Sequence, residues 1–358
     1  MDISSEIQKY RQEIKSERMD MSFGEIINMY RDKEIIISPE YQRAFRWDEQ
    51  RQSDFIESIL LGIPFPSIFV ATNPDGKWEL IDGLQRVSTV LSFFNELKDE
   101  DGNPYPKNGL KLVEGSMLKG LKDITIDTLP LEYKLQIKRT PCRVEIILKE
   151  SEFKMRYELF KRLNTGGEGL SRQEIRNCIF RGLDSRYSEF IAELAQDSIF
   201  REIVNISVSN EEKMYYEELV LRYLTLKNKG TRYSQSNIQD YMDDYLESQC
   251  KEFNEVQMEM DKSLFLNIIK ILEKLKDENI FKLGRRYFTT SMYDAIMLSL
   301  SERTVDLESI NIEQLGEKIV ELKANEDFKK YVGSASSNPT SITNKVKIAK
   351  KVLLDITE

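Results

Sequence analysis

The chain has no histidine among its 358 residues. That absence removes the Ser-His-Asp triad, the Cys-His dyad, the HExxH zinc site and any HNH nuclease centre, since each needs an imidazole as base or ligand. Chemistry here has to run on carboxylates, lysine, tyrosine or a bound metal. Cysteine is scarce: Cys142, Cys178 and Cys250 lie far apart and form no CxxC, so neither a zinc ribbon nor a thioredoxin-type motif is present, and reduced, buried thiols are expected. No apolar run approaches the roughly 18 residues a membrane helix needs. The start, "MDISSEIQKYRQEIKSERMD", is charged and lacks an apolar h-region. A cytoplasmic protein without membrane contact is therefore expected. Fixed-period repeats and low-complexity tracts are missing as well.

What remains is an ordinary globular composition, 40% hydrophobic and 32% charged, in a chain long enough for two cores. Its net charge of −9 is unevenly spread. Residues 130–186 hold 13 Lys/Arg against 8 Asp/Glu, a net of +5, whereas residues 187–261 hold 7 against 16, a net of −9. Such a division can form a local anion-binding patch inside an acidic protein, because screening confines the attraction to about a Debye length. Two differently solvated helical faces would give the same counts.

The first half reads as mixed. "SFGE" at residues 22–25 has capping-box spacing and opens a short helix; "KEIIIS" reads as a strand stopped by Pro39. Asp48 can cap a helix with Phe55, Ile56, Ile59 and Leu60 on one stripe, ending near Gly62. "PSIFVAT" and "KWELI", joined by "NPDG", predict a hairpin that feeds a helix striped by Leu84, Val87, Val90, Leu91 and Phe94. Residues 99–130 read as a long loop, "PCRVEIIL" as a further strand, and residues 151–163 as a helix stopped at "NTGG". Ser171 and Glu174 form a second capping box. Beyond it almost every period is helical, with helices predicted over 186–204, 211–227, 235–277 (broken), 288–301, 311–330 and 341–354. The expected fold is α+β over residues 1–167 followed by an all-helical domain over 168–358.

Three clusters carry candidate chemistry. In "IDGLQR" Asp82 ends a strand, Gly83 lets the backbone turn, and Leu84, Gln85 and Arg86 begin a helix whose outward N–H groups and dipole suit phosphate. Arg86 adds a planar donor fork, Gln85 a donor and an acceptor, and Asp82 a ligand for a divalent cation bridging phosphates. The competing reading makes Asp82 a helix cap and Arg86 a surface ion-pair partner. In "YQRAFRW" the aromatics Tyr41, Phe45 and Trp47 alternate with Gln42, Arg43 and Arg46, a pattern suited to stacking on bases and gripping phosphates. A core-packing loop with two solvated arginines would look the same. "FKRLNTGGEGLSRQEIRN" sets Arg162, Asn164, Arg172, Gln173 and Arg176 around a glycine turn, either as a basic surface or as an ordinarily capped helix-turn-helix linker.

In this order the three motifs resemble the N-terminal domain family of GmrSD-type modification-dependent restriction endonucleases, over roughly residues 23–180. That family is similar to ParB and sulfiredoxin in fold. The resemblance implies an N-terminal ParB-like, nucleotide-binding domain in which Asp82, Gly83, Gln85 and Arg86 form the nucleotide-binding and hydrolysis motif, with Tyr41, Gln42 and Arg43 as the neighbouring loop. The family motif reads D-G-Q-Q-R; here Leu84 replaces the first glutamine. Many relatives add an HNH domain, which a chain without histidine cannot form, so it resembles a stand-alone version. Sulfiredoxin's catalytic cysteine has no counterpart in "IDGLQR".

The expected function is therefore a nucleotide-binding sensor or regulatory component of a bacterial restriction or anti-phage defence system. Asp82, Gln85 and Arg86 would act on a nucleoside triphosphate carried with Mg²⁺ on Asp82, an NTPase chemistry that positioning and charge neutralisation can supply. The alternative is a non-enzymatic module that binds DNA through Tyr41, Arg43, Arg46 and Trp47 together with Arg162, Asn164, Arg172 and Arg176 of the basic middle, and recruits a separate nuclease subunit. The acidic helical half is open to three uses: covering the nucleotide site, forming a homo-oligomer, or binding a partner protein.

Overall fold

The computed structural model describes residues 2–13, 15–37, 42, 45–73, 75–99, 101–149, 153–163, 170–180, 183–211, 213–235, 237–284, 288–302, 306, 307, 309–333 and 336–354. The chain divides into two compact units, residues 1–170 and 171–358. The first is α+β and the second helical.

The first unit runs α1 (Ile3–Glu13), β1 (Ser16–Ser22), α2 (Phe23–Arg31), β2 (Ile35–Ile36), α3 (Glu49–Leu61), β3 (Ile68–Thr72), β4 (Trp78–Asp82), α4 (Leu84–Phe93), α5 (Leu131–Arg139), β5 (Pro141–Ile147) and α6 (Phe153–Leu163). Its sheet has the order β1-β5-β3-β4-β2; β1/β5 and β3/β4 are antiparallel, β5/β3 and β4/β2 parallel. Central β3 is apolar except for Thr72, and Ile68, Val70 and Ala71 are all buried, as expected for a strand flanked on both edges.

Local chemistry sets the helix ends. Ser22 Oγ accepts from the N–H of Glu25 at 3.1 Å, and Asp48 accepts from the N–H of Arg51 at 2.8 Å, so both predicted caps form. Gly62, at φ +70°, closes α3 in the left-handed conformation, at the end the sequence predicts. The 99–130 segment is a packed loop: Leu110, Leu112 and Leu121 are buried, and Glu57 of α3 fastens it by accepting from Ser116 Oγ and the N–H groups of Met117 and Leu118. Burial alone would raise the Glu57 carboxyl, but those hydrogen bonds outweigh it and hold the group below its ordinary value.

Two elements have no apolar signal in the sequence. β1, "SERMDMS", is mostly exposed and owes its conformation to seven paired positions on β5, with Arg18–Glu145 and Arg143–Asp20 ion pairs across the strands. In α5 only Ile137 is buried. The "KEIIIS" strand is shorter than its pattern, pairing through Ile35 and Ile36 alone.

The second unit comprises α7 (Arg172–Phe180), α8 (Ser185–Ala195), α9 (Ser198–Val204), α10 (Val208–Glu211), α11 (Tyr215–Lys229), α12 (Ile238–Lys251), α13 (Glu255–Glu273), α14 (Thr290–Leu300), α15 (Ile312–Ala324), α16 (Glu326–Lys329) and α17 (Pro339–Leu354). Predicted helices 186–204, 235–277 and 311–330 are each split in two. In each case a side chain caps a new start: Asp197 accepts from Phe200 N–H, Asn254 from Gln257 and Asn325 from Phe328. The Ser171–Glu174 box forms reciprocally, at 3.1 and 2.6 Å. Helix α14 is the core, buried from Ser291 to Leu300 and packed against α11 and α17.

That core holds an ionic cluster. Arg222 grips Asp294 through Nε and Nη2, both at 2.7 Å. Fully buried Lys345 donates to Ser291 Oγ at 3.1 Å and to the Ser336 carbonyl at 2.8 Å, with Asp294 Oδ2 3.7 Å away. Burial, only partly countered by Asp294 and reinforced by Arg222, brings the Lys345 ammonium down to about 8.

The unfolded chain keeps this proton up to about 10.5, whereas the folded chain releases it near 8. Stability from this residue therefore rises as pH climbs through that window, and the full penalty applies below it. The gain should reach about 3 kcal/mol at most. In urea titrations, the difference between wild type and Lys345→Met should move in favour of wild type as pH rises from neutral to about 10.5; a difference independent of pH contradicts this account.

Candidate functional site

Strand β4 delivers Asp82 to the edge of a sharp turn, and Gly83 makes that turn at φ +98°. A Cβ on Gly83 would lie 2.6 Å from Ile68 Cγ2, so the absent side chain matters both for the backbone angle and for the close approach of β3. The β3/β4 register shifts between Phe69 and Val70, beside the Phe69–Asp82 pair, and such a bulge re-aims strand ends. Leu84 turns inward and is buried. No side chain caps α4, so Asp82 does not serve as its N-cap.

Asp82 instead pairs with Arg86 one helical turn on, at 2.9 Å. Arg86 is 11% exposed and Asp82 29%. Arg86 Nη1 donates to the Pro66 carbonyl at 3.0 Å, and Nη2 donates to the Ser67 carbonyl at 3.2 Å as well as to Asp82. One guanidinium thus holds the chain just ahead of β3, the end of β4 and the first turn of α4. The fork that the sequence offers to a phosphate is bonded on both terminal nitrogens in this state.

Gln85 makes the second link. Its Oε1 accepts from the backbone N–H groups of Arg46 and Trp47, each at 3.0 Å, so the "YQRAFRW" and "IDGLQR" segments meet directly. Lys107 braces the same loop, donating to the carbonyls of Phe45 at 2.8 Å and Trp47 at 3.2 Å with its ammonium 5.0 Å from the Phe45 ring centroid. Its burial lowers the Lys107 pKa, with Asp48 opposing. Gln42 is buried, donating to the Lys98 carbonyl at 2.6 Å. Trp47 packs edge-on against Phe55, and both Arg46 and Trp47 keep part of their surface in solvent. Lys107, on the 99–130 loop, had no signal beyond being one lysine in a polar stretch.

The remaining predicted site residues fall differently. Tyr41, Arg43 and Asn164 lie outside the described residues. Arg162 is an exposed residue of α6 in the first unit, near Glu158. Arg172 belongs to the second unit and reaches Asp240 at 3.2 Å. Arg176 has no exposed side-chain surface: it donates to Asp243 at 2.6 Å and to Gln239 Oε1 at 2.6 Å. A fully desolvated arginine bonded in this way organises a helical core and offers nothing to a phosphate in this conformation.

Among the described residues no group of three or more Asp, Glu or Cys side chains converges as a metal cage. Asp82 alone suits Mg²⁺ only where phosphate oxygens and water complete the shell. Cys142 is buried, and that burial pushes its thiol up to about 11 despite the nearby Arg86 charge, so it is a poor nucleophile.

Gly83→Ala should destabilise the first unit by about 2–4 kcal/mol, combining left-handed strain with the Ile68 clash. In a denaturation cycle, pairing it with Ile68→Ala should recover the steric part and leave the strain; strict additivity of the two substitutions excludes the contact as the cause.

No curated protein matches the chain. Residues 23–181 match the family model described as GmrSD restriction endonuclease, N-terminal domain, a span that contains the Gly83 turn, the loop it braces and the Ser171 capping box. The chain therefore carries a GmrSD restriction endonuclease N-terminal domain.

Proposed function

We propose that the first unit is a nucleotide-responsive sensor serving a modification-dependent restriction system, with the Asp82–Arg86 turn as its phosphate site. The observation that carries this reading is the Gln85 link: the residue beside the turn also holds the backbone of Arg46 and Trp47. A ligand that disturbs the turn therefore reaches a partly exposed arginine and tryptophan with no intervening element.

Charge explains how the turn would open. A Mg²⁺-nucleotide brings a cation for Asp82 and an anion for Arg86, so the 2.9 Å ion pair exchanges for two pairs of the same signs without stranding a charge. The uncapped N–H groups at the start of α4 favour the phosphate. Mg²⁺ would supply charge neutralisation at the phosphates. Leu84, buried where the family motif has glutamine, contributes no polar group, so we assign this chain binding rather than rapid hydrolysis. The restriction context rests on the matched domain.

Calorimetry with the four common nucleoside triphosphates and Mg²⁺ should detect binding to at least one. Arg86→Ala should weaken it about tenfold or more, as expected for a charge-assisted contact. In a Trp78→Phe background, binding should change Trp47 emission, and Gln85→Ala should abolish that change. The absence of binding by all four removes the proposal.

The engaged guanidinium favours a second reading, a DNA-binding module that uses Arg46 and Trp47 on their braced loop. It expects DNA affinity that falls steeply with salt and ignores nucleotide; affinity unchanged by salt rules it out.

A further inference from the structure

Outside the matched domain lies a cleft of about 980 Å³ formed entirely by the second unit, at the upper end of the range for small-molecule sites. Four cations line it: Lys227 at the end of α11, Arg232 in the loop that follows, and Lys347 and Lys350 on α17. Glu302 is the one acidic residue in the lining. Two of these cations come from residues 187–261, where acids outnumber bases 16 to 7, so their collection here runs against the local composition.

The walls are cross-braced. Asp261, 1% exposed, receives Lys227 Nζ, Asn228 Nδ2 at 2.7 Å and Gln257 Nε2 at 2.9 Å, fixing three lining side chains from beneath. Thr231 and Thr343 share a 2.8 Å hydroxyl bond that ties the Arg232 loop to α17, and Lys350 pairs with Glu302. Arg232 is exposed. Helices α11 and α14 end at the cleft, each adding about half a negative charge. Among the described residues of the lining, cations outnumber acids four to one. No aromatic residue lines it, so recognition by stacking on a base is unavailable.

We infer that this cleft binds a phosphate-bearing ligand, gripped through its phosphate groups by Arg232 and Lys347 above a floor set by Asp261. The shared chemistry is a phosphate ester or anhydride, carried by a free nucleotide or by a nucleic-acid strand. This inference does not rest on the Asp82 turn.

The test uses the full chain, without divalent metal and in an Arg86→Ala background, so that the Asp82 turn contributes neither Mg²⁺ nor its arginine. Three probes are titrated at low ionic strength: pyrophosphate, ATP and a short single-stranded oligonucleotide. At least one should bind, and Arg232→Glu with Lys347→Glu should weaken it about tenfold or more. Lys274→Glu, an equal charge change per site at the exposed C-cap of α13 outside the cleft, should leave it within about twofold. Preference for ATP or pyrophosphate assigns a free phosphate compound. Preference for the oligonucleotide, with a salt slope reduced by about one per cation removed, assigns a strand.

Acylation of Lys347 in the unsubstituted cleft, read by mass spectrometry, should slow when the best probe saturates, which keeps the test independent of how the double variant folds. The inference is overturned by no binding of any probe, by equal effects of the cleft and Lys274 substitutions, or by undiminished Lys347 acylation at saturation.

Discussion

The distance between Gly83 and Ile68 decides how tightly the chain can turn from β4 into α4, and the rest of the candidate site follows from that turn. With any Cβ present the helix start would have to move off β3. The movement would carry Arg86 away from the Pro66 and Ser67 carbonyls it satisfies, and Gln85 away from the backbone it holds. The Ser67 carbonyl and the Arg46 and Trp47 N–H groups are part-buried, and each left without its partner costs on the order of 1–3 kcal/mol, a large fraction of the stability of a domain when lost together. Polar placement here is thus a consequence of backbone geometry at one residue, enforced by packing against one isoleucine.

Much of this was legible in the chain itself. The caps at Ser22, Asp48 and Ser171 formed because a short oxygen-bearing side chain at a helix start has a favourable local use, accepting a hydrogen bond from an exposed N–H. The hairpin and the abrupt β4–α4 joint were equally local, written in turn residues and apolar periodicity. What could not be read was anything decided by a partner distant in sequence. β1 exists because β5 presents a complementary edge. The splits at Asp197 and Asn325, and the place of the expected break in 235–277 at Asn254, required knowing that a mid-pattern side chain would win over helix continuation.

The candidate site shows the same division. The sequence located the turn and the loop; it did not show that Gln85 joins them or that Lys107 supports the loop from another segment. Arginine was the least readable residue type, because one guanidinium suits a phosphate, a carboxylate or a carbonyl equally well. Arg46 keeps partial exposure, Arg86 closes a local ring of acceptors, and Arg176 is completely desolvated against Asp243 and Gln239. Only burial separates these outcomes, and burial is a property of the assembled fold.

The absence of histidine has a further consequence for any switching. An imidazole is the one side chain whose ordinary pKa falls within the physiological range, and the Asp82–Arg86 pair contains none. The response proposed for that pair follows the arrival of a competing cation and anion. The second unit differs, because burial has lowered Lys345 to about 8, close enough to neutral for its proton to be labile. Its ammonium is nonetheless enclosed by Ser291, Ser336 and Asp294, so proton loss there would loosen packing between α14 and α17 without presenting a new group to a ligand. The ligand response proposed for the first unit and proton release at Lys345 in the second thus depend on different chemistry.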